Sequence, residues 1–327
     1  MAKTVSIEII KKCPNSCLHC SSSSTWDSTE IMPFTLIKSV VDGLNELGVS
    51  SISLSGGEPF LHPDLLQIVN YIASYGISIN IYSCGIVEES GRFKEISLNK
   101  FLELRNMGLN RIMFNLQACN DSSYNQICGN NGYLKYAVQS IRNSVEIQIP
   151  TEIHFVPMKI NQHEITYILK FAEQEKIDRV SFLKLVPHGR AKENLNIISL
   201  DNAENFNIQK LLFEAQARGE KIRIGIPYSD SSQNNCPNCH AVHNKLYIRY
   251  DGCVFGCEAF KYITFFSDVD GKELMPNNIY EMDIKAIYST SPHLHMSQKL
   301  VALYSNISCE GENCPVQKYL KIQGMET

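Results

Sequence analysis

Apolar positions along the first two-thirds of the chain switch between two periods. Val5–Ile10 is a short β-branched run that reads as a strand. Apolar residues at 34, 36, 37, 40, 41, 44 and 47 then follow helical spacing, and Gly48 supplies a stop. The same exchange repeats down the chain. Strands are predicted at Ser51–Leu54, Ile77–Tyr82, Arg111–Leu116, Glu152–Val156 and Arg179–Leu185. Helices are predicted at Asp64–Tyr75, Leu98–Met107, Tyr133–Asn143, Glu164–Gln174 and Asn202–Ala217. Strand and helix in sixfold alternation imply a parallel sheet with helices outside it, an α/β fold curled into a partial (βα)6 TIM barrel. Right-handed crossovers would place every strand's C-terminal end on one face, where loops carry chemistry.

Beyond about residue 225 the alternation stops. Tyr228–Asn235 is polar and turn-rich, suited to a boundary between residues 1–225 and 226–327. Lys245–Tyr250 and Cys253–Cys257 are expected to form a β-hairpin around Asp251-Gly252, and Asp283–Tyr288 a short capped helix. The second part therefore reads as a small α+β domain.

Composition narrows the function. The 327 residues are 44% hydrophobic and 20% charged, a globular balance, and 30 Lys+Arg against 34 Asp+Glu leave a formal charge of −4. An acidic chain lacks the basic footprint of a nucleic-acid binder. No apolar run is long enough to span a membrane and no signal peptide precedes the first strand, so a cytoplasmic location is expected. Twelve cysteines are then anomalous, because thiols in a reducing compartment more often bind metal or do chemistry than form disulfides. They cluster. Cys13, Cys17 and Cys20 follow the first strand, and Cys236, Cys239, Cys253, Cys257, Cys309 and Cys314 lie in the last third. Three thiolates in eight residues suit a [4Fe–4S] cluster with one iron open, or, with a fourth ligand, zinc.

Cys13-x3-Cys17-x2-Cys20 after the first strand, with Ser55-Gly56-Gly57-Glu58-Pro59 after the second, resembles the radical SAM superfamily over residues 4–225. The resemblance implies a [4Fe–4S] cluster on the three cysteines and S-adenosylmethionine (SAM) at the open iron. Reduction of SAM would yield a 5′-deoxyadenosyl radical that abstracts hydrogen from substrate. It also implies that Ser55–Pro59 meet the SAM amine, with Glu58 accepting from it. Further SAM contacts are expected from Ser83, Asn115, Gln117, Asn161 and Arg190. Cys239, twelve residues, Gly252, four residues, Cys257, and later Cys309-x4-Cys314, resemble the SPASM or shorter twitch region. That resemblance implies one auxiliary [4Fe–4S] cluster on Cys239, Cys257, Cys309 and Cys314, with Cys236 in reserve and a zinc knuckle as the alternative. Cys253 is then a candidate hydrogen-atom donor. Cys84, Cys119 and Cys128 read as small core residues, with Cys84 and Cys119 placed to line a pocket.

The implied activity is maturation of a ribosomally made precursor peptide by crosslinking, oxidation or epimerisation. The partners would be a reductant such as flavodoxin or ferredoxin and, since Cys13 leaves no room for an N-terminal recognition domain, a separate peptide-recognition protein. A small-molecule dehydrogenase and a non-catalytic electron-transfer scaffold are the other readings.

Overall fold

A computed structural model describes residues 3–225, 239, 241–267, 269–305 and 314–322. The first part runs β1 (Thr4–Ile10), α1 (Phe34–Glu46), β2 (Ser51–Gly56), α2 (Leu65–Ser74), β3 (Ser78–Ser83), β4 (Ile86–Glu89), β5 (Arg92–Glu95), α3 (Leu98–Asn106), β6 (Leu109–Asn115) and α4 (Asp121–Cys128). It continues through α5 (Leu134–Glu146), β7 (Thr151–Phe155), α6 (Ile165–Gln174), β8 (Arg179–Phe182), α7 (Arg190–Glu193), α8 (Leu195–Ile198), α9 (Asn202–Ala217) and β9 (Ile222–Ile224). The remainder holds β10 (Lys245–Ile248), β11 (Val254–Phe255), β12 (Phe265–Phe266), β13 (Glu273–Leu274), α10 (Ile284–Thr290), α11 (Pro292–Ser305) and α12 (Pro315–Ile322).

The strands of the main sheet lie in the order β11-β10-β1-β2-β3-β6-β7-β8-β9, parallel throughout except for the β10–β11 hairpin. Each predicted strand and helix of residues 1–225 is present, with ends moved by up to three residues. Besides the short helices α7 and α8, three features escaped the periodic pattern. The β4–β5 hairpin turns through Ser90 and Gly91, both at positive φ. The polar helix α4 is defined by its caps rather than by an apolar stripe: Asn120 accepts from the Ser123 N–H, and Gly129 ends it in the left-handed region. Strand β9 is only three residues long. The predicted hairpin around Asp251-Gly252 forms, but it does not stand apart. β10 pairs in parallel with β1, Ser6 opposite Tyr247, so the C-terminal part extends the main sheet.

The two faces of this sheet differ chemically. Val5, Ile7, Ile9, Ile52, Leu54, Ile79, Ile81, Ile112, Phe114, Ile153, Phe155, Val180 and Phe182 are buried in the core under the helices. The alternate positions are polar apart from Met113: Ser6 and Glu8, Ser53 and Ser55, Asn80 and Tyr82, Arg111 and Asn115, Glu152 and His154, Ser181, Arg223 and Tyr247. Register places them side by side, with Asn115 beside His154, His154 beside Ser181 and Ser181 beside Arg223. The inner face of the curled sheet is therefore a polar lumen rather than a packed apolar core.

Candidate active site

A cavity of about 290 Å³ opens at the C-terminal ends of the strands. Cys13, Cys17, Cys20, Ser55, Gly56, Gly57, Ser83 and Asn115 all line it, so residues up to 102 positions apart in sequence meet as predicted. The lumen face adds Ser6, Glu8, Tyr82 and Tyr247, and the C-terminal part adds Glu258 and Lys261.

The cysteine loop is held by the end of α4. The N–H groups of Ser16 and Leu18 donate to the carbonyls of Cys128 and Ile127, at 2.8 and 2.9 Å, satisfying acceptors that the last helical turn leaves open. Arg190 is not among the residues that line the cavity. Its Nε and Nη2 donate to the Cys17 and Ser24 carbonyls, each at 2.8 Å, and so clamp the cysteine loop at two points. Gly56 and Gly57 serve backbone packing first. A Cβ on Gly57 would lie 2.1 Å from the Lys12 carbonyl oxygen, and one on Gly56 2.0 Å from that of Ile10. The Gly57 and Glu58 N–H groups donate to those same two carbonyls, of Ile10 and Lys12. The glycines thus seat the β2 turn directly on the chain entering Cys13.

Glu58 is also repositioned relative to expectation. It is fully buried, and its carboxylate accepts from the Phe60 N–H (3.1 Å), the Ser83 hydroxyl (2.9 Å) and the Cys84 N–H (2.7 Å). Those bonds engage both carboxylate oxygens, and Glu58 is not among the residues that line the cavity. It locks the β2 turn to the end of β3, and burial raises its pKa to about 7. Gln117 is equally committed. It is fully buried, donates to the His154 carbonyl (3.1 Å) and accepts from the Val156 N–H (2.9 Å). Asn161 caps the same loop junction by donating to the carbonyls of Gln117 and Val156. Both are positioning residues behind Asn115, which alone of the three lines the cavity.

Two cysteines read as core residues lie against cluster-loop thiols: Cys84 contacts Cys13, and Cys128 contacts Cys17. The Cys128 contact and burial push the Cys17 thiol well up; burial and the neighbouring Cys17 push up Cys20. Among the described residues no three His, Cys, Asp or Glu side chains converge on a point for a single ion. A cubane cluster, which holds its thiolates on separate irons, does not require such a point. The cavity wall also carries buried polar atoms with no protein partner, Asn15 Nδ2, His19 Nδ1 and Ser24 Oγ. Burial lowers the His19 pKa to about 4, leaving a neutral ring. Three thiols and a ring of unpartnered donors and acceptors fit a cluster with a polar ligand beside it.

In the C-terminal part, Cys257 precedes the turn Glu258–Phe260 and Cys314 precedes α12, which packs on that turn. The two thiols are brought near each other; burial, Glu258 and Cys314 all raise Cys257. Cys239 is partly buried. Cys236, Cys309 and the stretch Tyr228–Asn235 lie outside the described residues. Cys253 does not line the cavity; its sulfur accepts from Asn278 Nδ2 at 3.6 Å, on the far side of the hairpin.

A buried network missed by motif reasoning joins the two parts. Lys261 Nζ pairs with Glu8 Oε1 at 2.9 Å and donates to Ser22 Oγ at 2.7 Å, while Ser22 and the Tyr247 hydroxyl also donate to Glu8. The signal was Glu8, the one charged residue of the first strand.

A parallel α/β sheet whose first loop delivers three thiols to a glycine-turn cavity defines a class of cluster-dependent SAM enzymes. The chain belongs to the radical SAM superfamily, whose model matches residues 7–172. It is 23% identical over 225 residues to the PqqA peptide cyclase of Bradyrhizobium diazoefficiens, covering 68% of this chain and 57% of that protein. A probable GTP 3′,8-cyclase of Pyrococcus abyssi is 25% identical over 77% of this chain and 83% of its own length. Among solved structures, Streptococcus suis SuiB bound to SAM superposes with a TM-score of 0.70 at 16% identity, over 92% of this chain and 68% of that one; SuiB has also been solved with its precursor peptide SuiA. No helix among the described residues is long and apolar enough to cross a membrane.

Proposed function

We propose that this radical SAM enzyme abstracts hydrogen from a ribosomally made precursor peptide, to crosslink, oxidise or epimerise it. One observation carries the reading: a single cavity is walled jointly by Cys13, Cys17, Cys20, the Ser55–Gly57 turn, Ser83 and Asn115. Cys13, Cys17 and Cys20 would hold the [4Fe–4S] cluster, which supplies the electron that cleaves SAM. Arg190 and the end of α4 hold the loop that carries the thiols. Ser55, Gly56 and Gly57 present the turn edge to SAM, Ser83 and Asn115 offer polar side chains, and Glu58 and Gln117 keep those groups in place.

Peptide substrates are supported by the similarity to PqqA peptide cyclase and by the fold shared with SuiB. Cys239, Cys257, Cys309 and Cys314, with Cys236 in reserve, would hold an auxiliary cluster in a twitch-like region over residues 226–327. The approach of Cys257 to Cys314 supports this. An external reductant is required. The match to GTP 3′,8-cyclases favours a small molecule as the second reading.

The test is anaerobic reconstitution followed by iron and 5′-deoxyadenosine assays. Two clusters predict about eight irons per chain. Substituting Cys13, Cys17 and Cys20 together by Ala predicts about four irons and no 5′-deoxyadenosine. Continued SAM cleavage by that variant overturns the assignment. Stoichiometric zinc overturns the auxiliary cluster. Co-expression with short peptides encoded nearby, read by mass spectrometry for hydrogen loss or deuterium uptake, separates peptide from small-molecule chemistry.

A further inference from the structure

Three arginines converge on one carboxylate in the lumen, beside the cavity. Glu152, on β7, is buried, with its side chain only 3% exposed. Arg179 Nη2 pairs with its Oε2 at 2.6 Å, Arg111 Nη1 approaches the same oxygen at 3.5 Å, and Arg223 Nε lies 3.9 Å from Oε1 while donating to Ser181 Oγ at 2.9 Å. Ser181 and His154 also bond to this carboxylate. Burial lowers the pKa of His154, so it brings little positive charge of its own. Lys245 and Glu258, the other charges that act on Tyr82, pair with each other at 2.8 Å. Among the described residues one carboxylate thus answers three guanidinium groups, an excess of two positive charges.

Those charges are available. The Arg111, Arg179 and Arg223 side chains are 42%, 37% and 45% exposed, and Arg179 Nε is a buried donor with no partner. Arg111 makes one long contact, and Arg223 uses only its Nε. Among the described residues most of their N–H donors have no protein partner, in the planar fork that suits an oxyanion. The cluster adjoins the wall of the active cavity. Tyr82 lines the cavity and stacks edge-on against His154, with ring centres 5.2 Å apart. Asn115, also at the cavity, shares a register row with His154, Ser181 and Arg223. Three strand spacings put Arg223 about 14 Å along the sheet from Asn115.

We propose that Arg111, Arg179 and Arg223 form an oxyanion-binding subsite that takes a carboxylate or phosphate group of the substrate while its reacting carbon lies in the cavity. Glu152 preorganises the guanidinium groups and prevents their mutual repulsion. This deepens the functional reading above, and for a peptide it specifies an acidic side chain or C-terminal carboxylate as the anchor.

The test is calorimetric binding to the anaerobically reconstituted protein, with tripolyphosphate as the phosphate probe and a short tetraglutamate peptide as the carboxylate probe. Saturable binding of at least one probe is expected. R111Q and R223Q, which leave the Arg179–Glu152 pair intact, should each weaken it by about tenfold, and the double variant more. Unchanged iron content and thermal midpoint confirm that the variants are folded. Binding of tetraglutamate alone assigns a carboxylate anchor; binding of tripolyphosphate alone assigns a phosphate-bearing small molecule. If neither probe saturates, or the double variant binds as the parent does, the subsite is wrong. Failure of the parent protein to load iron or cleave SAM would instead sink the functional reading and leave this binding result standing.

Discussion

Glu58 accepts the Ser83 hydroxyl at 2.9 Å from inside the fold, and Ser83 in turn accepts the Gly85 N–H at 2.9 Å. The hydroxyl is the hinge of a buried chain that joins the glycine turn after β2 to the end of β3. Ser83→Ala should strand the Gly85 N–H and weaken the hold on Glu58. Urea denaturation should show a loss of about 1–3 kcal/mol, with SAM cleavage reduced in parallel. Unchanged stability would mean that the chain is not structurally coupled.

Glu58 also sets a pH dependence. Its pKa is raised from 4.5 to about 7, so the folded state holds the proton over a range in which the unfolded chain has released it. The associated stability is fully present below about pH 4.5 and is lost as pH rises through about 7. Chemical denaturation of the cluster-free protein should show this decline, and Glu58→Gln should flatten it.

Gly57→Ala brings a Cβ to 2.1 Å from the Lys12 carbonyl, against backbone that cannot swing aside. We expect a cost of about 1–3 kcal/mol or more and a displaced cysteine loop. The measurements are thermal unfolding together with iron uptake. Iron uptake equal to that of the parent would show that the turn and the loop move independently.

Arg190 bridges the Cys17 and Ser24 carbonyls of the cysteine loop. Arg190→Ala should lower iron retention during reconstitution while leaving the core folded. Arg190→Lys should not restore it, because an ammonium on a flexible stem lacks the planar fork. Rescue by Lys would show that charge alone suffices.

Lys261→Met should leave Glu8 as a buried uncompensated charge and cost about 3–5 kcal/mol. Adding Glu8→Gln should recover part of that loss. A double-mutant cycle in denaturant reads the coupling directly, and additive losses would refute the pair's role in joining the C-terminal part to β1.

Much of this molecule was legible in its order of residues. Helix and strand periods located the six βα units because core burial imposes them locally. Cys13-x3-Cys17-x2-Cys20 and Ser55–Pro59 were legible because a loop motif carries its spacing with it. Roles that depend on side-chain direction were not. Glu58, Gln117 and Arg190 lie at the right strand ends, yet each turns toward backbone groups left without partners. Satisfying those buried groups outweighs presenting a side chain to the cavity. The pairing of β10 with β1, the Lys261–Glu8 contact and the gathering of Arg111, Arg179 and Arg223 around Glu152 join residues 27 to 253 positions apart. Sequence alone determined which positions were apolar, which turns needed glycine and where thiols clustered. Only the assembled sheet decided which polar residues share its inner face, because register across parallel strands is set by long-range packing and not by neighbours along the chain.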